Sequence, residues 1–292
     1  MLNRRAFASA VGLAAGAAAL HLGAAPTARK LKAGHTGITW DNNVPQALED
    51  CGKLGFHGFE TFGQVMEAWD ANGGMERVLD PSHVPLVSAY CTFNMVDPSK
   101  RQDELAKMTR WGQLLKKHNG KVVVMGPNPV NRQNYVFAEH KADIVASLNE
   151  VAKAITDLGL TAALHQHTGT CVMTREETYG VLEAVDTKYV KFGPDVGQLA
   201  KGGNDPVKVV SDFASIIRHV HLKDFDGGNA FIGYCPLGEG KVDLPKVLDI
   251  LEQSGNDLMI MAELDSAPYM PVSATKAATT NRDYLRKMGY SF

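Results

Sequence analysis

Six side chains able to hold a divalent metal or move a proton stand at the ends of four apolar runs in the second half of the chain. His165 and His167 end ALHQH, Asp195 ends VKFGPD, His219 and His221 lie in IIRHVHLKD, and Glu263 ends LMIMAE. Imidazole and carboxylate together suit Zn²⁺, Mn²⁺ and related ions. A lone strand-end histidine is usually a hydrogen-bonded structural residue, so no single run would carry the reading. Four runs in series do. An ion held by such a set would act as a Lewis acid on a substrate oxygen and stabilise negative charge that develops there.

Each of these runs is followed by a helix-like segment, which would bring the polar tips out at one end of a parallel sheet. In a β/α barrel that end carries the active site. Strand-like runs at 31–39, 58–62, 85–91, 121–125, 162–167, 190–195, 216–222 and 258–263 supply eight strands. Helical patterns at 45–54, 67–79, 101–118, 137–158, 175–185, 206–213, 244–253 and 273–288 alternate with them. The predicted fold is therefore a single α/β domain over 31–292, a (β/α)8 TIM barrel. An open doubly wound sheet fits less well, because no GxGxxG follows the first strand.

Period-two alternation sends His165 and His167 to the same face. His167 is then a fifth ligand, a general base or a support for the ligands, and neutral imidazole is a suitable base near physiological pH. His219 bears the same relation to His221 one layer deeper, where orienting or packing is expected. Lys223 continues the inward phase and is a candidate catalytic contact to substrate oxygen. Asp224 opens the following loop as a candidate substrate contact. Glu60, Trp40 and Phe62, near the ends of the first two strands, are expected to line the same mouth.

Thirty basic against 32 acidic residues give a net charge of −2, and the basic ones are dispersed, so no nucleic-acid footprint is visible. Residues 1–30 form a separate leader: Asn3-Arg4-Arg5-Ala6-Phe7 and then an Ala/Gly-rich stretch that resembles a twin-arginine export signal. The stretch is too weakly apolar for a membrane anchor. The expectation is an exported, periplasmic protein with no membrane span after processing. Cys51, Cys91, Cys171 and Cys235 are scattered and imply neither a disulfide framework nor a thiolate metal site.

The motifs LHQHTGT (164–170), DVGQLAKGGNDP (195–206), HVHLKD (219–224) and PLGEGKVD (236–243), with Glu263, resemble the xylose-isomerase-like barrel superfamily, also called sugar phosphate isomerase/epimerase. Within it they look closest to inosose dehydratase. The resemblance covers most of the chain after the leader. It implies one divalent ion (Mn, Zn, Co or Mg) held by Asp195, His221, Glu263 and His165, the last in place of the usual glutamate, with Glu263 also in the catalytic machinery. Epimerases of the superfamily carry an acidic residue where this chain has Cys171, a histidine where it has Gln198 and an arginine where it has Gly227. The implied activity is β-elimination from a non-phosphorylated keto-sugar, cyclitol ketone or 3-keto-glycoside, a small-molecule carbohydrate partner. Isomerisation or epimerisation is the alternative, and noncatalytic carbohydrate binding stands behind both.

Overall fold

The computed structural model describes residues 29–265 and 270–292. The leader expected over 1–30 lies almost wholly outside the described residues. Eight parallel strands form one sheet: β1 (Lys32–Thr36), β2 (Phe59–Phe62), β3 (Leu86–Phe93), β4 (Val122–Pro127), β5 (Thr161–Leu164), β6 (Val190–Phe192), β7 (Val220–Leu222) and β10 (Met259–Ala262). Hydrogen bonding runs β6-β5-β4-β3-β2-β1-β10-β7. The remaining seam between β6 and β7 is joined by parallel bridges at Phe192–Ile217 and Asp195–His221, so the sheet curls into the expected barrel.

The barrel helices are α1 (Val44–Leu54), α2 (Gly63–Ala71), α3 (Glu76–Ser82), α4 (Arg101–Lys117), α5 (Phe137–Asp157), α6 (Arg175–Leu182), α7 (Val196–Lys201), α8 (Pro206–Asp212), α9 (Leu244–Ser254) and α10 (Ala274–Lys287). Most starts are written locally. Asn43, Asp205, Asp243 and Ser273 cap α1, α8, α9 and α10 through their side-chain oxygens, and Thr174 with Glu177 forms a capping box on α6. Two departures have local causes. The helix expected over 67–79 is broken into α2 and α3 because Gly73 and Gly74 adopt φ of 102° and 90°. The stretch between the sixth strand and the helix expected over 206–213, to which no element was assigned, holds the additional helix α7, capped by Asp195 itself.

A second, two-stranded antiparallel sheet of β8 (Asp224–Phe225) and β9 (Tyr234–Cys235) follows β7, where a loop was expected. The four cysteines are free and buried. Among the described residues no helix is long and apolar enough to cross a membrane.

The core is continuous from the barrel interior to the inner faces of the helices, with Phe59, Phe93, Phe192, Leu115 and Leu148 fully enclosed. One polar residue inside it ties the first strand to the last helix. His35 is completely buried, edge-on to Trp40 and Phe56 at 5.0 Å from each, with Nδ1 3.1 Å from the Thr36 carbonyl and Nε2 3.2 Å from the Asn281 amide. Burial depresses its pKa from 6.5 to about 4, against the smaller upward pull of the Thr36 carbonyl and Glu263.

The folded pKa lies below the unfolded one, so the unfolded chain takes up the proton first as pH falls. The stability held by neutral His35 is then full above pH 6.5 and drains away between 6.5 and about 4. At 1.36 kcal/mol per unit the loss amounts to about 3 kcal/mol. Urea midpoints measured across this window should fall more steeply for the native chain than for His35→Asn, and parallel curves would show that His35 does not set the acid limb.

Candidate functional site

The C-terminal strand ends converge on a small cavity of about 160 Å³ lined by Glu60, Phe62, Tyr90, His165, His167, His221, Glu263 and Asp265, with Thr36, Gly37, Ile38 and Thr61 at its edge. Strand β2 reaches it through a register irregularity at Phe59/Glu60, which places Glu60 opposite Ser88 of β3. Such an irregularity re-aims a side chain next to a functional site. Glu60 is 2% exposed and fully engaged. Ser88 Oγ donates to its Oε2 at 2.5 Å, His219 Nε2 lies 3.0 Å from Oε2, and His221 Nε2 lies 2.6 Å from Oε1. Burial alone would raise this carboxyl, but the charges of His221 and His219 and their hydrogen bonds outweigh it and bring the pKa to about 2.

His221 is held from both sides. Its Nδ1 faces Glu263 Oε2 at 2.5 Å while Nε2 stays on Glu60. Burial disfavours its protonated form, yet Glu263 and Glu60 together raise its pKa well above the ordinary value. His165 behaves oppositely. Burial, followed by the neighbouring His221 and His167, lowers its pKa well below the ordinary value and keeps the ring neutral, the form in which imidazole ligates. Its ring stands 4.7 Å from that of His221, and Tyr90 packs edge-on against it at 5.0 Å.

Asp195 divides its carboxylate between two tasks. Oδ1 accepts from the Gln198 backbone N–H at 2.9 Å and caps α7, which leaves Oδ2 to meet Lys223 Nζ at 2.8 Å. The Gln166 side-chain amide continues the ladder beyond the ends of β5 and β6, donating to the Asp195 carbonyl at 2.8 Å and accepting from its N–H at 3.3 Å. Lys223 is wholly enclosed and also reaches Glu263 Oε1 at 2.9 Å and Asp265 Oδ2 at 3.1 Å. Burial pulls its pKa down, and Asp195, Asp265 and Glu263 more than restore it.

Two sets of potential ligands share His221: Glu60, His219 and His221, and His165, Asp195 and His221, each with ligand atoms within 4.8 Å of one another. The second is three-quarters of the expected set, and Glu263 borders it through His221 Nδ1. Two observations fit a divalent ion there. His165 Nδ1 is buried without a hydrogen-bond partner, and such an orphan is costly unless something occupies it. Four buried or nearly buried carboxylates, Glu60, Asp195, Glu263 and Asp265, also face one permanent cation, Lys223, and the imidazoles. The missing charge has the sign a metal supplies.

His167 lies in reach of this set, its ring centre 5.9 Å from that of His165. Nδ1 is 2.8 Å from the Thr168 carbonyl, which can only accept, so the proton sits on Nδ1. The Nε2 lone pair then accepts from the Gln198 side-chain amide at 2.8 Å, while Gln198 Oε1 accepts from the Thr168 N–H and hydroxyl. His167 thus has the tautomer a base at Nε2 requires.

Phe62 and Glu60 line the cavity as expected, whereas three other expected contacts do not. Trp40 is carried away by the tight turn after β1, and its indole donates to Asp50 on α1 at 2.8 Å. Lys223 is occupied by the carboxylates beneath the cavity. Asp224 pins the PLGEG loop: its oxygens accept from the N–H groups of Phe225, Gly238, Gly240 and Val242 at 2.9–3.1 Å. Tyr90 and Asp265 were missed, although both could be found by phase. Tyr90 lies two residues after Ser88, and Asp265 two after Glu263.

A family model described as Xylose isomerase-like TIM barrel matches residues 48–288. The chain belongs to that family. Curated relatives include inosose dehydratase of Clostridium beijerinckii, 24% identical over 274 residues with 85% of this chain and 90% of the relative covered. Inosose dehydratase of Clostridium tetani is 25% identical over 298 residues, covering 88% and 97%. Among solved structures, the IolI protein with a bound zinc atom superposes with a TM-score of 0.75 at 20% identity, covering 89% and 98%. The 3-keto-D-glucoside 4-epimerase of E. coli gives 0.67 at 17% identity, covering 89% and 99%. The names among these relatives and neighbours are those of dehydratases and epimerases, and the chain is an enzyme of this family.

Replacing Asp224 with Ala would leave four partly buried backbone donors without their acceptor, at a cost on the order of 1–3 kcal/mol. The urea midpoint should drop accordingly and proteolysis should begin within 236–242. An unshifted midpoint would show that the loop is held by other contacts.

Proposed function

We propose that this chain is a divalent-metal-dependent lyase acting on a non-phosphorylated keto-sugar, cyclitol ketone or 3-keto-glycoside by β-elimination. The observation that carries the choice of reaction is the state of two residues at positions where epimerases of the superfamily handle protons. Cys171 is buried outside the cavity, with burial pushing its thiol up to about 12. Gln198 cannot titrate, and its side-chain amide is committed to His167 and Thr168. Neither residue supplies a second proton-transfer group, whereas epimerisation by two bases needs a donor and an acceptor on opposite faces of a carbon.

His165, Asp195, His221 and Glu263 are the residues that would hold the metal. When bound there it would polarise a carbonyl and its neighbouring hydroxyl as a Lewis acid. Glu60 keeps Nε2 of His221 engaged, which fixes the ring and leaves Nδ1 for the site, the supporting role a carboxylate commonly plays behind a ligating histidine. Substrate entry displaces the Gln198 amide from His167 Nε2. That nitrogen takes the proton α to the carbonyl, the C–H electron pair becomes a carbon–carbon double bond as the β-substituent leaves, and the imidazole returns the proton to the departing oxygen. One acid/base group suffices for this sequence. The inosose dehydratase relatives support a lyase, and the zinc in IolI supports the metal.

Incubation with inosose or a 3-keto-glycoside in heavy water should release the leaving group and yield an unsaturated ketone or its hydrated descendant. Asp195→Ala, checked for folding by circular dichroism, should lose the metal by elemental analysis. His167→Gln should retain it while α-proton exchange falls by about 10²–10⁴-fold, the usual contribution of a general base. A product with every substituent retained and only a carbonyl moved or a carbon inverted would replace elimination with isomerisation or epimerisation.

We also propose export by the Arg4-Arg5 leader. Arg4→Lys with Arg5→Lys should leave the full-length chain in the cytoplasmic fraction, and unchanged periplasmic recovery would remove this assignment.

A further inference from the structure

The opposite end of the barrel, where the strands begin, carries a separate cavity of about 490 Å³. Its volume falls within the range of small-molecule sites. Four cationic side chains line it from the starts of three strands: Lys30 and Lys32 at β1, Lys121 just before β4, and Arg218 just before β7. Asp257 is the acidic residue in the lining, so three positive charges are in excess. Among the described residues, none of the four cations is paired with a carboxylate, unlike Arg29, Arg101, Arg132 and Lys223 elsewhere in the chain.

The cavity is more than a cluster of surface lysines. It reaches inward to Ser88 and His219, which are 1% and 2% exposed. Arg218 is braced at its rim, donating to the carbonyls of Ser215 and Ile217 at 3.1 and 2.7 Å. Thr161 adds a hydroxyl to the lining. Like charges drawn around one concavity repel one another, and that repulsion is relieved when an anion sits between them. A compact anion with several acceptor oxygens matches both the charge and the forked donors of an arginine.

We propose that this cavity is a second ligand site, for a phosphate dianion either free or carried as a monoester. It opens at the other end of the barrel from the metal-ligand cluster, with Ser88 and His219, both bonded to Glu60, as the layer between the two. The charge excess sets the ligand's sign, and the concave shape limits its size.

Calorimetric titration of the full chain with inorganic phosphate, and separately with glycerol phosphate, tests this at low ionic strength. Saturable one-to-one binding of either probe is expected, weakening as sodium chloride is added because the three lysines are exposed and Arg218 is half-buried. Tighter binding of glycerol phosphate would identify a monoester as the ligand, and equal binding would identify the free dianion. Lys32→Glu and Lys121→Glu should each weaken binding by at least about tenfold, as removal of a charge-assisted contact does. Lys121→Gln should give a smaller loss and guards against a folding defect, which thermal melts would report. Absence of saturable binding overturns the proposal. So does binding that survives both charge reversals, since the anion would then lie elsewhere, including at the metal-ligand cluster.

Discussion

A buried excess of negative charge governs the architecture of this site. Glu60, Asp195, Glu263 and Asp265 meet at the C-terminal end of the barrel, and three of them press on the fully enclosed ammonium of Lys223. Charges in such surroundings persist only when each oxygen and nitrogen has a partner of opposite sign or a good donor. Much of the local geometry follows from that demand. The irregularity in β2 brings Glu60 to Ser88, His219 and His221, and residue 197 is glycine where a Cβ would stand only 2.8 Å from the stem of Lys223.

The barrel meets this demand by letting single residues serve two neighbours. Asp195 caps α7 with one oxygen and meets Lys223 with the other, so the helix start and the charge cluster fix each other's position. Gln166 joins the chain segments beyond β5 and β6 after their ladder has ended, and Asp224 gathers the loop that follows the β8–β9 hairpin. A metal bound by His165, Asp195, His221 and Glu263 would draw on groups whose backbone positions are already set. Little rearrangement entropy would then oppose binding.

The same economy shapes the proposed chemistry. Under the proposed reading, a buried thiol and a neutral amide stand at the two positions where a second proton-transfer group would be needed, and the amide is bonded to His167. What is left is one imidazole of defined tautomer beside a cluster suited to polarising a carbonyl. An elimination in which proton removal and return fall to a single group is the reaction that this inventory serves with fewest parts.

The sequence by itself determined the eightfold alternation of strands and helices and the placement of His165, Asp195, His221 and Glu263 at strand ends. Those features are local: apolar runs, capping residues and a two-residue phase are written within a few positions of one another. It also held, unused, the phase of Tyr90 and Asp265. What only the tertiary structure decided was partnership. Glu60 and His221 are 161 residues apart in sequence, and nothing near either one announces that a strand irregularity will join them. Lys223 has the inward phase of a substrate contact, and only the convergence of Asp195, Glu263 and Asp265 turns it into a buried counterion. Trp40 sits close to a strand end, yet the left-handed Asp41 that follows turns the chain toward α1 and takes the indole with it. Local patterns fix where a side chain can point, but its role depends on which distant charges the closed barrel brings within a few ångströms.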